Sequence, residues 1–570
     1  MTLCSSDILI IGAGPVGLTL AGELLRYGVS CRVIEKRVEP ATSSRALGTH
    51  ARTQEVFMAM GIFDEIRSHA QPVHRFDMYE RGERLGSFDL PLESFGTPAT
   101  SSLFIGQATT ERILREHVLS LGGCIEDGVE LVSFTQHPDH VSVTLRDDQE
   151  QEQHLSVSWL VGCDGGHSAV RKHLQLPFEG AADETWLVVD AQVEWNLPND
   201  AIQMFRSPDG VVMAFPFPEA GKWRLLETNI PEPLNETTVA RVLTDKIGRT
   251  LNRPITVHVP SWMSRFTIQQ RKVLTMSVRR CFLAGDAAHV HSPASGQGLN
   301  TGIQDAYNLA WKLALVVQGK ARESLLASYT LEREPIAAHL LRSALLSTRL
   351  ISPRNPLVKY AGSVMKQVLR FEPLRHAISL RITRGMTALT ISYPHSPIVG
   401  ENWMSRSGRR SFFLNANHYF SPGFAPGSRV PDMLIDRGAG THLFDYLQRT
   451  YFTLLLFTGK NASDEVYEAL KEIIATISER YGDTIAVLVV SSSKLVVPSI
   501  LEQQAEVIRD LEVTMHRRFG IMGNGVYLIR PDGYVGYRGQ PVASDALFNY
   551  IEAFLVPGTA PHTERFIENY

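Results

Sequence analysis

The sequence predicts an α/β protein in which a dinucleotide-binding βαβ unit carries an inserted antiparallel sheet and is followed by a smaller α/β unit. Three observations lead there. An apolar strand, a G-x-G-x-x-G turn and a helical pattern occupy residues 7–35. From Trp186 to about Thr228 the hydrophobic period changes to two. After a segment rich in Pro, Gly and Ser at 394–432, strand and helix patterns start afresh.

In the first unit, Asp7–Ile11 reads as a strand and Gly12-Ala13-Gly14-Pro15-Val16-Gly17 as the turn. The helix runs to about Tyr27 with Gly28 as its C′ residue, and Cys31–Ile34 is the second strand, ending in Glu35. The glycines allow a tight turn, close approach of a pyrophosphate and packing of helix on strand. Glu35 stands where an acidic side chain takes both hydroxyls of a ribose.

Ser43 to Phe57 places Arg45 and Arg52 in and after a loop of small residues, suited to a phosphate or a flat ring, or simply to solvent. Residues 77–90 read as a hairpin turning at Arg81-Gly82-Glu83, and Gln107 opens a helix with a threonine near its cap. Trp159–Arg171 repeats the theme of apolar strand, Asp-Gly loop and helix start, with Asp164 at the loop.

The period-two stretch alternates Leu187, Val189, Ala191, Val193 and Trp195 with polar residues, then gives short strands around Ile202–Arg206, Gly210–Phe217 and Lys222–Glu227. Such a sheet can roof a ligand. Met213, Phe215, Phe217 and Trp223 are candidates to line that pocket, with core packing the competing role for at least half of them.

Residues 285–300 form the organising stretch. The strand Cys281–Ala284 enters Gly285-Asp286, a loop of small residues follows, and a helix begins with Ile303, Ala306, Tyr307, Ala310, Leu313, Ala314 and Val317 at steps of three and four. A helix start at a glycine-rich loop offers free N–H groups and the positive end of the dipole to a negative charge. More helix follows to about residue 390. Beyond the linker, Tyr451–Phe457 and Thr484–Val490 read as strands, Ser463 as a helix cap, and Gly525–Arg530 with Tyr534–Arg538 as a hairpin over Pro531-Asp532-Gly533.

Composition narrows the class. The 570 residues are 44% hydrophobic and 20% charged with net charge −4, and no long basic run points to nucleic acid. No apolar stretch is long enough to span a membrane, and Ile8–Ile11 runs straight into the Gly motif, so it reads as a strand and not as a secretion signal. Five cysteines, Cys4, Cys31, Cys124, Cys163 and Cys281, lack C-x-x-C spacing; neither a disulfide scaffold nor a metal site is expected, and a reducing cytoplasm is.

Three motifs in this order, Gly12–Gly17 with Glu35, Cys163-Asp164-Gly165 with Arg171, and Gly285-Asp286 with Pro293 and Gly298, resemble those of the single-component FAD-dependent aromatic hydroxylases. Arg45 to Glu55, Gln107 and Ser328-Tyr329 with Glu332-Arg333-Pro335 match as well. This is the para-hydroxybenzoate hydroxylase-like family. The likeness is strongest to its phenol and polyketide hydroxylases, which carry a thioredoxin-like C-terminal domain.

The resemblance implies a Rossmann-like FAD-binding domain at 1–76, 101–178 and 266–395. It implies a substrate-binding β-sheet domain at 77–100 and 179–265, and a thioredoxin-like domain at 400–570. It implies non-covalent FAD held by Gly12, Gly14, Pro15, Val16, Gly17, Glu35, Lys36, Arg45, Arg52, Gln107, Asp164, Asp286, Pro293, Gly296, Gly298, Leu299 and Asn300. Arg45 and Pro293 would lie at the reacting ring. NADPH or NADH and O₂ would be co-substrates, and a flavin C4a-hydroperoxide would hydroxylate an electron-rich aromatic. Epoxidation, Baeyer–Villiger insertion and a catalytically silent flavoprotein are the alternatives. A second G-x-G-x-x-G unit and the W-x-W-x-I-P motif of flavin halogenases are absent. The C-terminal region, which has no cysteine, is expected to serve structure or a subunit contact such as a homodimer.

Overall fold

The protein is described from a computed structural model. It covers residues 7–558 apart from 41–45, 230–234, 292–295, 352–370, 404–422, 437–439, 448–449, 460–461 and 493–498. It divides into two compact units, residues 1–307 with 333–389, and residues 308–332 with 390–570.

The first unit is built on a six-stranded sheet in the order Ser277–Val278, Cys281–Leu283, Trp159–Gly162, Ile8–Ile11, Cys31–Glu35, Cys124–Asp127. All four residues of Ile8–Ile11 are buried, as expected of a parallel strand covered on both faces. Register aligns the carboxyl ends: Ile11 pairs with Gly162 and with Ile34, and Gly162 pairs with Leu283. The chain therefore leaves the sheet at Gly12, Cys163 and Ala284 along one edge, where open α/β sheets hold ligands. Gly12 requires its glycine. Its φ is +104°, and a Cβ there would stand 2.6 Å from the Cys163 carbonyl oxygen. The helix Pro15–Arg26 starts with proline in its first turn, where no N–H is needed.

The second sheet of this unit runs in the order His289–Val290, Trp262–Lys272, Glu179–Glu194, Lys222–Glu227, Gly210–Pro216, Ala201–Ser207, Arg75–Glu80, Glu83–Asp89, with Thr256–Val257 pairing beside it. It departs from the expected antiparallel sheet in one pair. Ala201–Ser207 lies parallel to Arg75–Glu80, which the long intervening chain permits. Trp262–Lys272 also runs unbroken across residue 265, so the sheet takes in residues that the sequence reading placed in the nucleotide-binding part. The hairpin Arg75–Glu80/Glu83–Asp89 turns at Arg81 (φ 51°) and Gly82 (φ 81°), two left-handed residues suited to a two-residue loop. The helix Glu236–Leu251 packs Val239, Leu243 and Ile247 onto one face of the sheet.

In the second unit a six-stranded sheet has the order Gly400–Trp403, Val535–Gln540, Gly525–Ile529, Phe452–Phe457, Ile485–Ser491, Glu506–Arg509. Phe452–Phe457 is parallel to Ile485–Ser491 and antiparallel to Gly525–Ile529. The expected linker at 394–432 is not all linker: Gly400–Trp403 pairs in parallel with Val535–Gln540, while 404–422 lie outside the described residues. Ser463 sits at the N-cap of the helix Asp464–Tyr481 without a side-chain cap bond.

A buried ionic network lies inside this unit. Arg530 donates to both carboxylate oxygens of Glu332, at 2.5 and 2.9 Å, and its Nε reaches Asp532 at 2.9 Å. Lys312 and Asn308 donate to Glu332 at 2.8 and 2.7 Å, and the Ser396 hydroxyl at 2.6 Å. Arg530 and Glu332 are fully buried, so each depends on its partners. Burial pushes the Lys312 ammonium down to about 8, although Glu332 opposes the shift. Replacing Arg530 by Met leaves Asp532 without this cation and Glu332 with Lys312 as its remaining cationic partner, beside the neutral donors Asn308 and Ser396. Loss of one partner of a buried pair costs about 3–5 kcal/mol, which we expect in the urea unfolding of the Arg530→Met protein. A loss below about 1 kcal/mol would show the network to be dispensable.

Candidate cofactor site

The three strand exits are joined by side chains as well as by register. Val16, on the first helix, fits between two glycines. A Cβ on Gly285 would come within 2.8 Å of it, and one on Gly302 within 2.6 Å. Arg171 spans the other two exits, donating to the Gly166 carbonyl at 2.7 Å and the Ala287 carbonyl at 2.8 Å. Its guanidinium lies over the Phe178 ring at 3.9 Å.

At the first exit, Glu35 Oε2 accepts the Ala13 N–H at 3.0 Å, and Oε1 accepts Arg37 Nε at 2.8 Å. Burial would raise the Glu35 carboxyl, but the bonds from Arg37 and Ala13 outweigh it, so it sits below its usual range and stays ionised. A Cβ on Gly14 would meet nothing within 4 Å, so the chain is open to a ligand beside the turn. Lys36 points to the surface, 77% exposed, and pairs with Glu130 at 2.6 Å.

At the second exit, Asp164 Oδ2 accepts the N–H groups of Ala169 and Val170 at 2.6 and 3.2 Å. Its Oδ1 is buried without a hydrogen-bond partner, and burial raises the carboxyl above its usual range. An orphaned acceptor at a strand exit fits a ligand hydroxyl or amide.

At the third exit, a turn at Gly285–Ala287 (φ of Gly285 63°) leaves Asp286 exposed, and the helix Gly298–Val317 starts after the loop. Gly298, Leu299 and Asn300 form its first turn, whose N–H groups have no partner within the helix. Asn300 does more than offer an N–H. Its Nδ2 donates to the carbonyls of Gly48 and Gly296 at 2.9 and 2.8 Å, and its Oδ1 accepts the His50 N–H at 2.8 Å. Asn300 thus clamps the strand Gly48–Thr49 and the loop at Gly296 to the helix start. Arg52 is buried and paired with Glu55 at 2.7 Å, and Gln107 donates to Glu111 at 2.7 Å. Arg45 and Pro293 lie outside the described residues.

Sequence reasoning missed Asp305. This buried carboxylate accepts the Gly285 N–H at 3.1 Å, bonds His289 Nε2 at 2.7 Å and accepts Arg333 Nε at 2.6 Å. Burial opposes its charge, but Arg333 and His289 hold it below the usual carboxylate range. The available signal was one acid among apolar residues of a helix, too weak to name a partner 28 residues away.

One face of the large sheet packs its apolar side chains against this part of the unit. Met213 and Phe215 lie on the face shared with Leu47 and Phe104, and the Phe104 and Phe215 rings meet edge-on at 5.9 Å. Phe217 shares that face. Trp223 is a correction to the expected pocket: strand alternation turns it to the opposite face, against Trp195 at 4.8 Å and the helix Glu236–Leu251.

Residues 5–344 match the family described as FAD binding domain. The chain belongs to that family. The chain is 38% identical over 559 residues to the 6-methylpretetramide 4-monooxygenase of Streptomyces rimosus, covering 97% of this chain and 95% of that one. The solved anhydrotetracycline hydroxylase of Streptomyces rimosus aligns at 28% identity and TM-score 0.71, covering 97% of this chain and all (100%) of that one. A ternary complex of aklavinone-11 hydroxylase with FAD and aklavinone aligns at 26% identity and TM-score 0.72, over 97% of this chain and 99% of that one. This FAD-binding protein is a flavin-dependent monooxygenase, and its mixed α/β fold is that of the FAD-dependent hydroxylases. Among the described residues no cluster could hold a metal ion, and no helix is long and apolar enough to cross a membrane.

In this FAD-binding fold His50 reports on the site without flavin. Its ring is buried, Nδ1 has no hydrogen-bond partner, and burial with the nearby His291 pushes it from 6.5 down to about 4. An imidazole lowered in the folded state takes up its proton first in the unfolded chain. Stability is therefore full above about pH 6.5 and falls as pH drops towards 4. Between pH 7.5 and pH 5 this residue alone removes about 2 kcal/mol from the apoprotein. His50→Gln should flatten that part of the pH–stability curve measured by urea unfolding; an unchanged acid slope would show that His50 is protonated in the folded state.

Proposed function

We propose that the protein uses NAD(P)H and O₂ to hydroxylate an electron-rich aromatic, phenolic or polyketide-like substrate. One oxygen atom enters the substrate, the other leaves as water, and NAD(P)H supplies the two electrons. The observation that carries this reading is the convergence of three strand exits on one edge, next to a sheet face lined by Met213, Phe215 and Phe104. Proteins similar to this chain are named for acting on 6-methylpretetramide, anhydrotetracycline and aklavinone, which supports a substrate larger than a simple phenolic acid.

Bound FAD supplies the electron transfer and oxygen insertion. The chain supplies place, charge and dryness. Gly14 leaves room for the pyrophosphate, Glu35 takes the adenosine ribose, and Asp164 and Asp286 take hydroxyls along the cofactor. The N–H groups at Gly298, Leu299 and Asn300 hold negative charge at the flavin edge without protonating it, as a helix N-terminus does. Arg45, Arg52, Gln107 and Pro293 complete this assignment. Pro15, Val16, Gly17 and Gly296 shape the backbone around it, and Lys36 flanks the adenosine end from the surface. FAD is non-covalent in this reading, since backbone groups hold the flavin edge and no Cys or His stands in a recognised attachment motif. We assign 400–570 a structural or subunit-contact role, and the chain to the cytoplasm. No cysteine follows Cys281, so this region lacks the dithiol that thioredoxin exchange needs.

Purified protein with FAD should oxidise NAD(P)H slowly alone and several-fold faster with a matching fused aromatic phenol, giving a product heavier by one oxygen atom. Mass spectrometry across a phenolic and polyketide panel checks this. Binding of aromatics with no stimulated NAD(P)H oxidation would favour a flavoprotein that shelters an intermediate.

A further inference from the structure

The face of the large sheet that carries Met213 and Phe215 also carries Phe266 and Ile268, from the strand Trp262–Lys272. Alternation along that strand puts Gln270 on the same face, while Thr267 lies exposed on the other. Gln270 is 4% exposed, and neither its Nε2 nor its Oε1 has a hydrogen-bond partner. A buried carboxamide with both ends unpaired is costly, and native proteins keep such groups where something else completes them. Its place fits a ligand. The neighbouring Arg271 and Lys272 pair with Val290 and His289, so Gln270 stands where this sheet joins the chain between Asp286 and the helix start at Gly298.

The other buried polar pair on this face has no spare role of that kind. Arg224 donates to both oxygens of Asp190 at 2.7 Å, reaches the Ala46 carbonyl at 3.3 Å, and lies over the Phe217 and Trp262 rings. Its charge is matched within the protein. Gln270 alone of these three presents an unused N–H donor beside an unused C=O acceptor.

We propose that Gln270 is a substrate-recognition residue, whose carboxamide pairs in two-point fashion with an edge of the aromatic substrate that presents an acceptor beside a donor. A carbonyl next to an enolic or phenolic hydroxyl has this pattern, and so does a primary carboxamide. The two hydrogen bonds set which edge of the ring system is anchored, and thus which carbon faces the cofactor. This inference rests on the monooxygenase reading, because it takes the sheet face as the substrate's wall.

The test compares the FAD-loaded wild type with Gln270→Leu, similar in size but unable to pair. Binding is read from the perturbation of the flavin visible spectrum. Three fused aromatics are used: one with an adjacent carbonyl and hydroxyl, one with a carboxamide, and one stripped of both. Gln270→Leu should weaken the first or the second by about tenfold or more, and the stripped analogue by less than about twofold. Which of the two responds distinguishes the keto–enol from the carboxamide source. Equal FAD content in both proteins shows that the fold is intact, and Gln270→Met serves if the leucine variant does not fold. Equal weakening of all three aromatics, or of none, overturns the proposal and leaves Gln270 as the host of a buried water. If no aromatic stimulates NAD(P)H oxidation by the wild type, the monooxygenase reading fails and this inference with it. Stimulation with an indifferent Gln270→Leu overturns this inference alone.

Discussion

Much of the first unit depends on one buried carboxylate. Asp305 takes its three bonds from the Gly285 turn, from His289 and from Arg333. Gly285 and His289 lie in one stretch, Arg333 lies 28 residues beyond Asp305, and Asp305 itself sits in the helix Gly298–Val317. The carboxylate therefore sets the distance between the third strand exit and the start of that helix. Its burial makes the constraint strict. An ion with no access to water cannot relax away from its partners without losing several kcal/mol. Asn300, one turn nearer the helix start, extends the same control to Gly48 and Gly296.

The remaining parts of the site follow from sheet register. Because Ile11, Gly162 and Leu283 lie abreast, three separate loops begin at one edge with no adjustment of their own. Gly12, Gly285 and Gly302 are then needed for closeness: each would clash with a neighbouring carbonyl or with Val16 if it carried a side chain. The second unit is held by the same physics with other residues, Arg530 and Lys312 against Glu332 and Asp532.

What could be read beforehand was what local pattern encodes. Ile8–Ile11, the Gly12 turn, the helix from Gly298 and the hairpin over Gly533 all announce themselves within a few residues, through periodicity and turn chemistry. What could not be read depends on contacts remote in sequence. The parallel pairing of Ala201–Ser207 with Arg75–Glu80 spans over a hundred residues, and the strand Gly400–Trp403 has no local sign of its partner Val535–Gln540. Trp223 shows the limit within a single strand. Alternation says that Trp223 and Arg224 face apart, but only the position of the helix Glu236–Leu251 says which face is covered. Asp305 and Gln270 were silent for the same reason, since an acid in a helix or an amide in a polar strand end acquires meaning only from what surrounds it in space.

We propose that this site inserts one atom of molecular oxygen into an aromatic substrate at the expense of NAD(P)H. Turnover under ¹⁸O₂ in ordinary water tests it most directly. The account predicts a product carrying one labelled oxygen and one equivalent of NAD(P)H consumed for each product formed. Product whose new oxygen comes from water, or labelled oxygen recovered only as hydrogen peroxide with the aromatic unchanged, would contradict it.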